Sequence, residues 1–295
     1  MTQALTGVAV ERKFPLTILQ AIVLGITQGL TEFAPVSSSG HLIIVPWLFN
    51  WNIVNIQALN KSFDVALHMG TLIGALIYFW RDMVRYAKAW VASISQRSLS
   101  TTDQRLAWAL VIGTIPGAVA GALFEDVITK DLGQPVLIAT MLAIFGVALW
   151  YVDKRCRSDR GLNSIGPRTG LFLGSAQALA LQPGVSRSGI TMMGGRLLGI
   201  DRESAARFSF LLAMPIIFGA GVLKGIDLAH TGFQGYGGQF LMGFIASAIS
   251  GFIVIWGLLK YLRSHSFAVF MWYRLAVAAL MYGLIISGAR SSTIH

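Results

Sequence analysis

The sequence has few charged residues for its length and a single cysteine. Only 12% of its 295 residues are charged, 23 Lys and Arg against 13 Asp and Glu, whereas soluble domains carry about 25%. Hydrophobic residues make up 55%, and the mean hydropathy is +0.65. This composition excludes a soluble enzyme, a disordered chain and a fibrous chain. The lone Cys156 excludes an intrachain disulfide and any Cys-x-x-Cys metal motif.

Several functional signatures are also missing. The chain has no GxxxxGK[ST] loop for nucleotide phosphates. Its first apolar stretch, Phe14–Thr27, runs into polar sequence without an A-x-A site, so we expect mature structure and not a cleaved signal. The net charge of +10 resides mainly in short loops between apolar stretches, as the positive-inside rule describes. We therefore expect no nucleic-acid partner.

Six stretches are apolar enough to cross about 30 Å of hydrocarbon. They predict an all-α polytopic membrane protein of about six transmembrane helices. The predicted spans are Phe63–Trp80, Leu106–Phe124, Pro135–Val152, Ser204–Lys224, Gln239–Lys260 and Phe267–Gly288.

Two further apolar segments, 14–50 and 169–198, are interrupted by Pro, Gly and Ser. We predict non-helical backbone at Pro35–Gly40 and Pro183–Gly189. Such backbone persists at membrane depth only where it is buried in protein or lines a wet cavity. The two segments are therefore predicted to be re-entrant broken helices.

The chain repeats itself at a shift of 149 residues, with eight identities between positions 24–40 and 173–189. We predict a duplication, with repeat 1 at 1–152 and repeat 2 at 153–295. Each repeat holds one re-entrant segment, 14–50 or 169–198, and three spans. An odd number of crossings inverts the second repeat relative to the first, as in many transporters.

Loop charges orient this predicted inverted repeat. Loops 81–105, 153–168 and 260–265 are basic and are expected to be cytoplasmic, whereas loop 125–134, with Glu125, Asp126 and Asp131, is expected to be external. Arg12 and Lys13 oppose this orientation. The two broken segments would then enter from opposite faces and meet within the bilayer.

The first broken segment carries the residue types of a phosphate site. Gln28 and Glu32 are four residues apart and share a helix face. After Pro35 a serine-rich turn offers hydroxyls and free backbone N–H groups for phosphate oxygens, and His41 titrates near neutral pH. The alternative is that Glu32 and His41 merely neutralise each other. The three hydroxyls are those of Ser37, Ser38 and Ser39.

In the second broken segment Arg187 replaces Ser38 of the first, and Leu181 replaces Glu32. A guanidinium can bind phosphate through two parallel hydrogen bonds, so this half is predicted to hold the anion. The alternative is that Arg187 pairs only with Glu32. Additional hydrogen-bond donors would come from Ser186, Ser188 and Thr191.

Other polar residues in the spans leave alternatives open. Asp64 and His68, one turn apart, would extend the site or simply pack between spans. Arg207 and Arg274 lie near predicted span ends, where we expect their side chains to reach the membrane surface. Met193 stands where lipid phosphatases of the acid-phosphatase type require a histidine.

Segments 28–41 and 183–191 resemble the two signature motifs of the undecaprenyl-pyrophosphate phosphatase family, also called BacA. FDVALHMGTL at 63–72, FSFLLAMP at 208–215 and Tyr273-Arg274 resemble that family too, so the likeness covers nearly the whole chain. It implies removal of the terminal phosphate of undecaprenyl pyrophosphate, which regenerates the lipid carrier for cell-wall polymers, and tolerance of bacitracin. It also implies a bacterial inner membrane, a site open to the external side and, as one option, a homodimer.

Many members of that family have Glu where this chain has Gln28, which leaves a single carboxylate for a metal. We expect a divalent cation, Mg²⁺ or Ca²⁺, with Glu32 and more weakly Gln28 as ligands, and no organic cofactor. We predict Glu32, Ser38, His41 and Arg187 as catalytic residues. Whether His41, Ser38 or water supplies the nucleophile stays open, as does the alternative of a polyprenyl-phosphate carrier using the same anion site.

Overall fold

The computed structural model describes residues 16–51, 57–130 and 132–293, and in these ranges the regular structure is helical apart from one isolated bridge between Arg160 and Ile200. This confirms an all-α polytopic architecture. In chain order the helices are α1 Ile18–Phe33, α2 Ser38–Phe49, α3 Gln57–Gln96, α4 Thr102–Lys130, α5 Pro135–Arg155, α6 Pro167–Ala178, α7 Arg187–Leu197, α8 Arg202–Thr231, α9 Gly237–Leu262 and α10 Ala268–Ile286, with short 3₁₀ turns at Leu162–Ser164 and Leu179–Leu181.

In the described part of the chain six helices, α3, α4, α5, α8, α9 and α10, are long and apolar enough to span a membrane. They correspond to the six predicted spans. The predicted loops between them were too long: α3 continues 16 residues past Trp80, and α4 continues to Lys130. Charged residues end a hydropathy signal without ending a helix. One of those on the extension of α3, Arg85, pairs with Asp103 at the start of α4.

Some residues used for the predicted orientation lie outside the described ranges. These are Arg12, Lys13 and Asp131. The first two residues of the predicted segment 14–50 also lie outside the described ranges.

Both apolar segments with Pro, Gly and Ser are helical hairpins. Residues 34–37 separate α1 from α2, and residues 179–186 separate α6 from α7. The predicted non-helical regions Pro35–Gly40 and Pro183–Gly189 were too long at their ends, because helix α2 begins at Ser38 and helix α7 at Arg187. Ser37 and Ser186 start these helices as side-chain caps, each with a positive φ, 75° and 79°.

The open ends of the two hairpins lie at opposite ends of the helix bundle. Leu16, just before α1, accepts a hydrogen bond from Gln239 at the start of α9, and Leu48 at the end of α2 accepts from Arg290, just after α10. The α6–α7 hairpin is anchored at the other face, where Arg196 of α7 pairs with a buried carboxylate at the end of α5.

Glycines let each hairpin approach a helix of the other half closely. A Cβ on Gly25 of α1 would collide with the carbonyl oxygen of Gly243 on α9, and one on Gly174 of α6 with that of Gly113 on α4. Gly25 and Gly174 are equivalent under the 149-residue shift. Close crossings at small residues are the usual packing of membrane helices. The equivalence supports the division at 152/153 into inverted repeats, which stays a prediction.

Candidate active site

The tips of the two hairpins, residues 34–37 and 179–186, meet at the carboxylate of Glu32. Glu32 lies in the last turn of α1 and is buried. One carboxylate oxygen, Oε1, accepts from Arg187 Nη2 at 2.6 Å. The other, Oε2, accepts from Ser38 Oγ at 2.6 Å and from Gln28 Nε2 at 2.8 Å, and lies 3.4 Å from His68 Nε2. The structure therefore brings four predicted site residues together and adds His68, whose role the sequence left open.

Ser38 and Arg187 occupy equivalent places, as the first residue of α2 and of α7. Two helix N-termini thus converge on one point, and each carries a partial positive charge and N–H groups without helical partners. Ser37 Oγ accepts from the backbone N–H of Gly184 at 2.9 Å, which ties the two tips together. The fold supplies an anion-binding environment before any side-chain cation is counted.

Arg274 is the functional residue that sequence analysis missed. The expectation that its side chain reaches the membrane surface is wrong, because Arg274 lies within α10 and its side chain is fully buried. Its guanidinium donates to the carbonyl oxygens of Pro35 at 3.1 Å, Gly184 at 2.6 Å and Val185 at 3.2 Å. It also donates to Leu142 on α5. Arg274 therefore satisfies the open backbone of both tips and fixes them to each other.

Arg207, the other arginine expected at the surface, has a partly exposed side chain that pairs with Asp82 and lies over the ring of Phe79. It connects α8 to the second half of α3, and neither contact belongs to the hairpin tips.

His41 points away from Glu32. Its Nδ1 lies 2.7 Å from the carbonyl oxygen of Ser37 and its Nε2 lies 2.9 Å from the hydroxyl of Tyr273 on α10. Because a carbonyl only accepts, Nδ1 carries hydrogen and Nε2 accepts from Tyr273. The histidine that contacts Glu32 is His68, and the interpretation that Glu32 and His41 neutralise each other finds no contact here.

The remaining predicted phosphate-binding residues occupy different environments. Ser188 donates to the carbonyl of Ala34 and so links the two tips, whereas Ser186 Oγ lies 3.1 Å from Ser188 Oγ within its own hairpin. Ser39 is exposed beside the site. Thr191 is buried one turn into α7, and its hydroxyl has no hydrogen-bond partner among the described residues.

Chemically, the cluster presents a hydroxyl to a carboxylate and a guanidinium beside both. A short bond from Ser38 to Glu32 is the contact expected between a nucleophile and its base. The cluster is partly accessible, because the side chains of Arg187 and His68 are 26% and 20% exposed, against 2% for Glu32.

The predicted metal ligands have the right donor type. Gln28 Oε1 is buried without a hydrogen-bond partner, next to the Glu32 carboxylate. Within the described residues no group of three or more His, Cys, Asp or Glu forms a cluster able to hold a metal ion. Glu32 and Gln28 stay predicted ligands, and their oxygen atoms are of the donor type that Mg²⁺ combines with substrate phosphates and water.

Fold and site together define a multi-pass membrane protein with a phosphoryl-transfer type of site at the junction of two opposed hairpins. The family model described as "Bacitracin resistance protein BacA" matches residues 21–280. The chain belongs to that family.

Relatives match over nearly their full length. The chain is 45% identical over 277 residues to an undecaprenyl-diphosphatase of Pelotomaculum thermopropionicum, covering 93% of this chain and 98% of that protein. It is 44% identical over 266 residues to one of Moorella thermoacetica, covering 90% and 97%. It is 42% identical over 284 residues to one of Thermomicrobium roseum, covering 93% and 100%. The alternative of a lipid carrier gains no support from these matches.

Proposed function

We propose that this membrane protein hydrolyses undecaprenyl pyrophosphate to undecaprenyl phosphate and inorganic phosphate. The observation that carries the proposal is the Ser38 hydroxyl held 2.6 Å from the Glu32 carboxylate, with Arg187 on the same group. Relatives that are 40–45% identical are named for this activity. The reaction recycles the carrier lipid of cell-wall synthesis and, by removing the form that bacitracin binds, confers tolerance of that antibiotic.

The proposed reaction uses Ser38 as nucleophile and Glu32 as general base. Ser38 Oγ attacks the terminal phosphorus as its proton moves to Glu32 Oε2, and the bridging P–O bond breaks with its electron pair on undecaprenyl phosphate. Water then attacks the phosphoserine, the P–Oγ bond breaks, and Ser38 regains its proton from Glu32. Both protons of that water leave with inorganic phosphate, as H2PO4⁻. Arg187 and the two helix N-termini offset the charge of the equatorial oxygens.

His41 has a positioning role in this scheme. Its bond to the Ser37 carbonyl supports a residue in the left-handed region of backbone space, where serine is strained. That residue directly precedes the nucleophile. The proposal thus chooses Ser38 over His41 and water as the attacking group.

A divalent cation fits the proposal as an additional charge on the substrate. Glu32 and the unpartnered oxygen of Gln28 would hold it. When bound, such an ion neutralises phosphate oxygens and orients the leaving group. The protein's own residues still supply the nucleophile, the base and the guanidinium.

The prenyl chain is proposed to occupy a groove of about 300 Å³ between α3, α8 and α9. Val65 and Met69 line the groove from α3. Met69 directly follows His68, so the groove lies along the helix face next to the one that carries His68. Gly225 lines it from α8, and no atom lies within 4 Å of a Cβ added there.

This assignment predicts a chain-length effect of Gly225→Phe. Detergent-solubilised wild type should release phosphate from both undecaprenyl and farnesyl pyrophosphate. The new ring fills the groove, and each methylene it displaces costs about 0.8 kcal/mol, so we expect KM for the long substrate to rise about tenfold. The short substrate should be nearly unaffected.

Gly219→Phe on the same helix is the matched control, since its added Cβ also meets no atom within 4 Å and lies outside the groove lining. Equal effects of Gly225→Phe on both substrates would contradict the groove assignment. Phosphate release from neither substrate by the wild type would contradict the phosphatase itself.

The protein is proposed to lie in the bacterial inner membrane with its site open to the external side. The support is that the exposed Asp64 lies in the first part of α3, towards the face of the α1–α2 hairpin ends, and that basic residues concentrate at the opposite face. A homodimer stays a prediction.

Single cysteines test this orientation. In a Cys156→Ser background, Ser292→Cys, after α10, should react with an impermeant maleimide on intact cells, because α10 ends outside. Asn163→Cys, in the loop before α6, should react only after permeabilisation. Both positions are exposed. The reversed pattern would place the site at the cytoplasmic face.

A further inference from the structure

His68 belongs to neither signature segment, yet it contacts the carboxylate at the centre of the site. It lies on α3, with Nε2 3.4 Å from Glu32 Oε2 and Nδ1 2.7 Å from the backbone carbonyl oxygen of Asp64. The ring is therefore held by its own helix on one side and directed at Glu32 on the other.

Both ring nitrogens face hydrogen-bond acceptors. The Asp64 carbonyl can only accept, so Nδ1 carries hydrogen. With a second hydrogen on Nε2 the ring is an imidazolium, which pairs with the Glu32 carboxylate. At 3.4 Å this contact is longer than an optimal hydrogen bond. Catalytic hydrogen bonds are often long in free enzymes and shorten when substrate binds.

The position of Arg187 explains why a second donor is needed. In the structure Arg187 binds Glu32 Oε1, and in the reaction it must bind phosphate. A carboxylate that loses this partner is held against Ser38 only by the Gln28 amide, at 2.8 Å, and His68 is the other group in reach of it. His68 contacts the opposite oxygen, Oε2, the one that accepts from Ser38.

We propose that His68 is a positioning residue that holds the Glu32 carboxylate against Ser38 while Arg187 turns to the substrate phosphate. The inference rests on the proposed function. It assigns His68 an effect on the chemical step and none on substrate affinity. The charged groups that face His68 are Glu32 of α1 and Arg187 of α7, with Asp64 one turn away on α3.

The test compares His68→Leu with His68→Gln. Leucine keeps side-chain volume but has no donor, whereas the glutamine amide nitrogen reaches about as far as Nε2. A hydrogen bond to a charged group contributes about 1.5–3 kcal/mol, so His68→Leu should lower kcat about 10- to 100-fold. KM should stay within about threefold, and His68→Gln should recover kcat to within about fivefold of wild type.

Wild-type activity is measured first in the same assay, so a failed phosphatase is distinguished from a failed inference. Wild-type kcat in a folded His68→Leu, or a loss expressed mainly in KM, would overturn the positioning role. If His68→Leu does not elute as a folded species in detergent, His68→Gln decides: near-normal kcat and KM support a donor role, and a loss as large as 100-fold contradicts it.

Discussion

Glu32→Gln is expected to reduce phosphate release at least about 10³-fold, since removing a general base costs about 10²–10⁴ in rate and this one also loses the charge that pairs with Arg187. The amide has almost the same shape as the carboxylate, so the protein should still fold. Ser38→Ala should give a comparable loss, because it removes the proposed nucleophile. The measurement is phosphate release from undecaprenyl pyrophosphate in detergent across a range of pH.

Gln28→Glu is the matched change at the neighbouring position. Gln28 already touches Glu32, so a second carboxylate there shares a bound cation or repels its neighbour. The Gln28→Glu variant should remain active when Mg²⁺ or Ca²⁺ is present. Without metal, the acidic limb of its pH profile should move to higher pH. Ordinary turnover by Glu32→Gln would leave Glu32 neither base nor ligand.

Arg187→Ala is expected to lose activity about 10²–10³-fold, the usual effect of removing one group that stabilises transition-state charge. Arg187→Lys keeps the charge but loses the planar pair of donors, and should retain only about 1–10% of wild-type activity. Steady-state kinetics with undecaprenyl pyrophosphate would measure both variants. Because the resting side chain pairs with Glu32, the loss should appear in kcat as well as KM.

A suitable comparison for these variants is Arg263→Lys, at an exposed arginine that pairs with Glu203 between α9 and α10. It should behave as wild type. Near-normal turnover of Arg187→Lys would mean that charge alone is needed and that bidentate binding of phosphate plays no part.

The spans and the hairpins were predictable from sequence because both are local properties. Hydropathy over about 20 residues finds a membrane helix, and Pro, Gly and Ser mark the interruptions. Helix ends were less predictable. The extension of α3 beyond Trp80 is polar, so it leaves the hydropathy window while its backbone remains helical.

The site was predictable where partners are close in sequence and not where they are distant. Gln28 contacts Glu32 one turn away, as their spacing predicted. His41 contacts Tyr273, 232 residues away, and Arg274 donates to Pro35, 239 residues away. A single sequence has no signal for such contacts. One signal was overlooked, since an arginine within a span is by default a functional residue.

Arg274 also has a consequence for how the molecule is made. Its bonds to the carbonyls of Pro35 and Gly184 come from α10, which follows both hairpins along the chain. Both hairpins are synthesised earlier, and the carbonyl groups at their tips lack the Arg274 donor until α10 is in place. A nascent chain that ends before α10 therefore contains Glu32, Ser38 and Arg187 but lacks the residue that fixes them together. These three residues are therefore fixed together only after α10 has been synthesised.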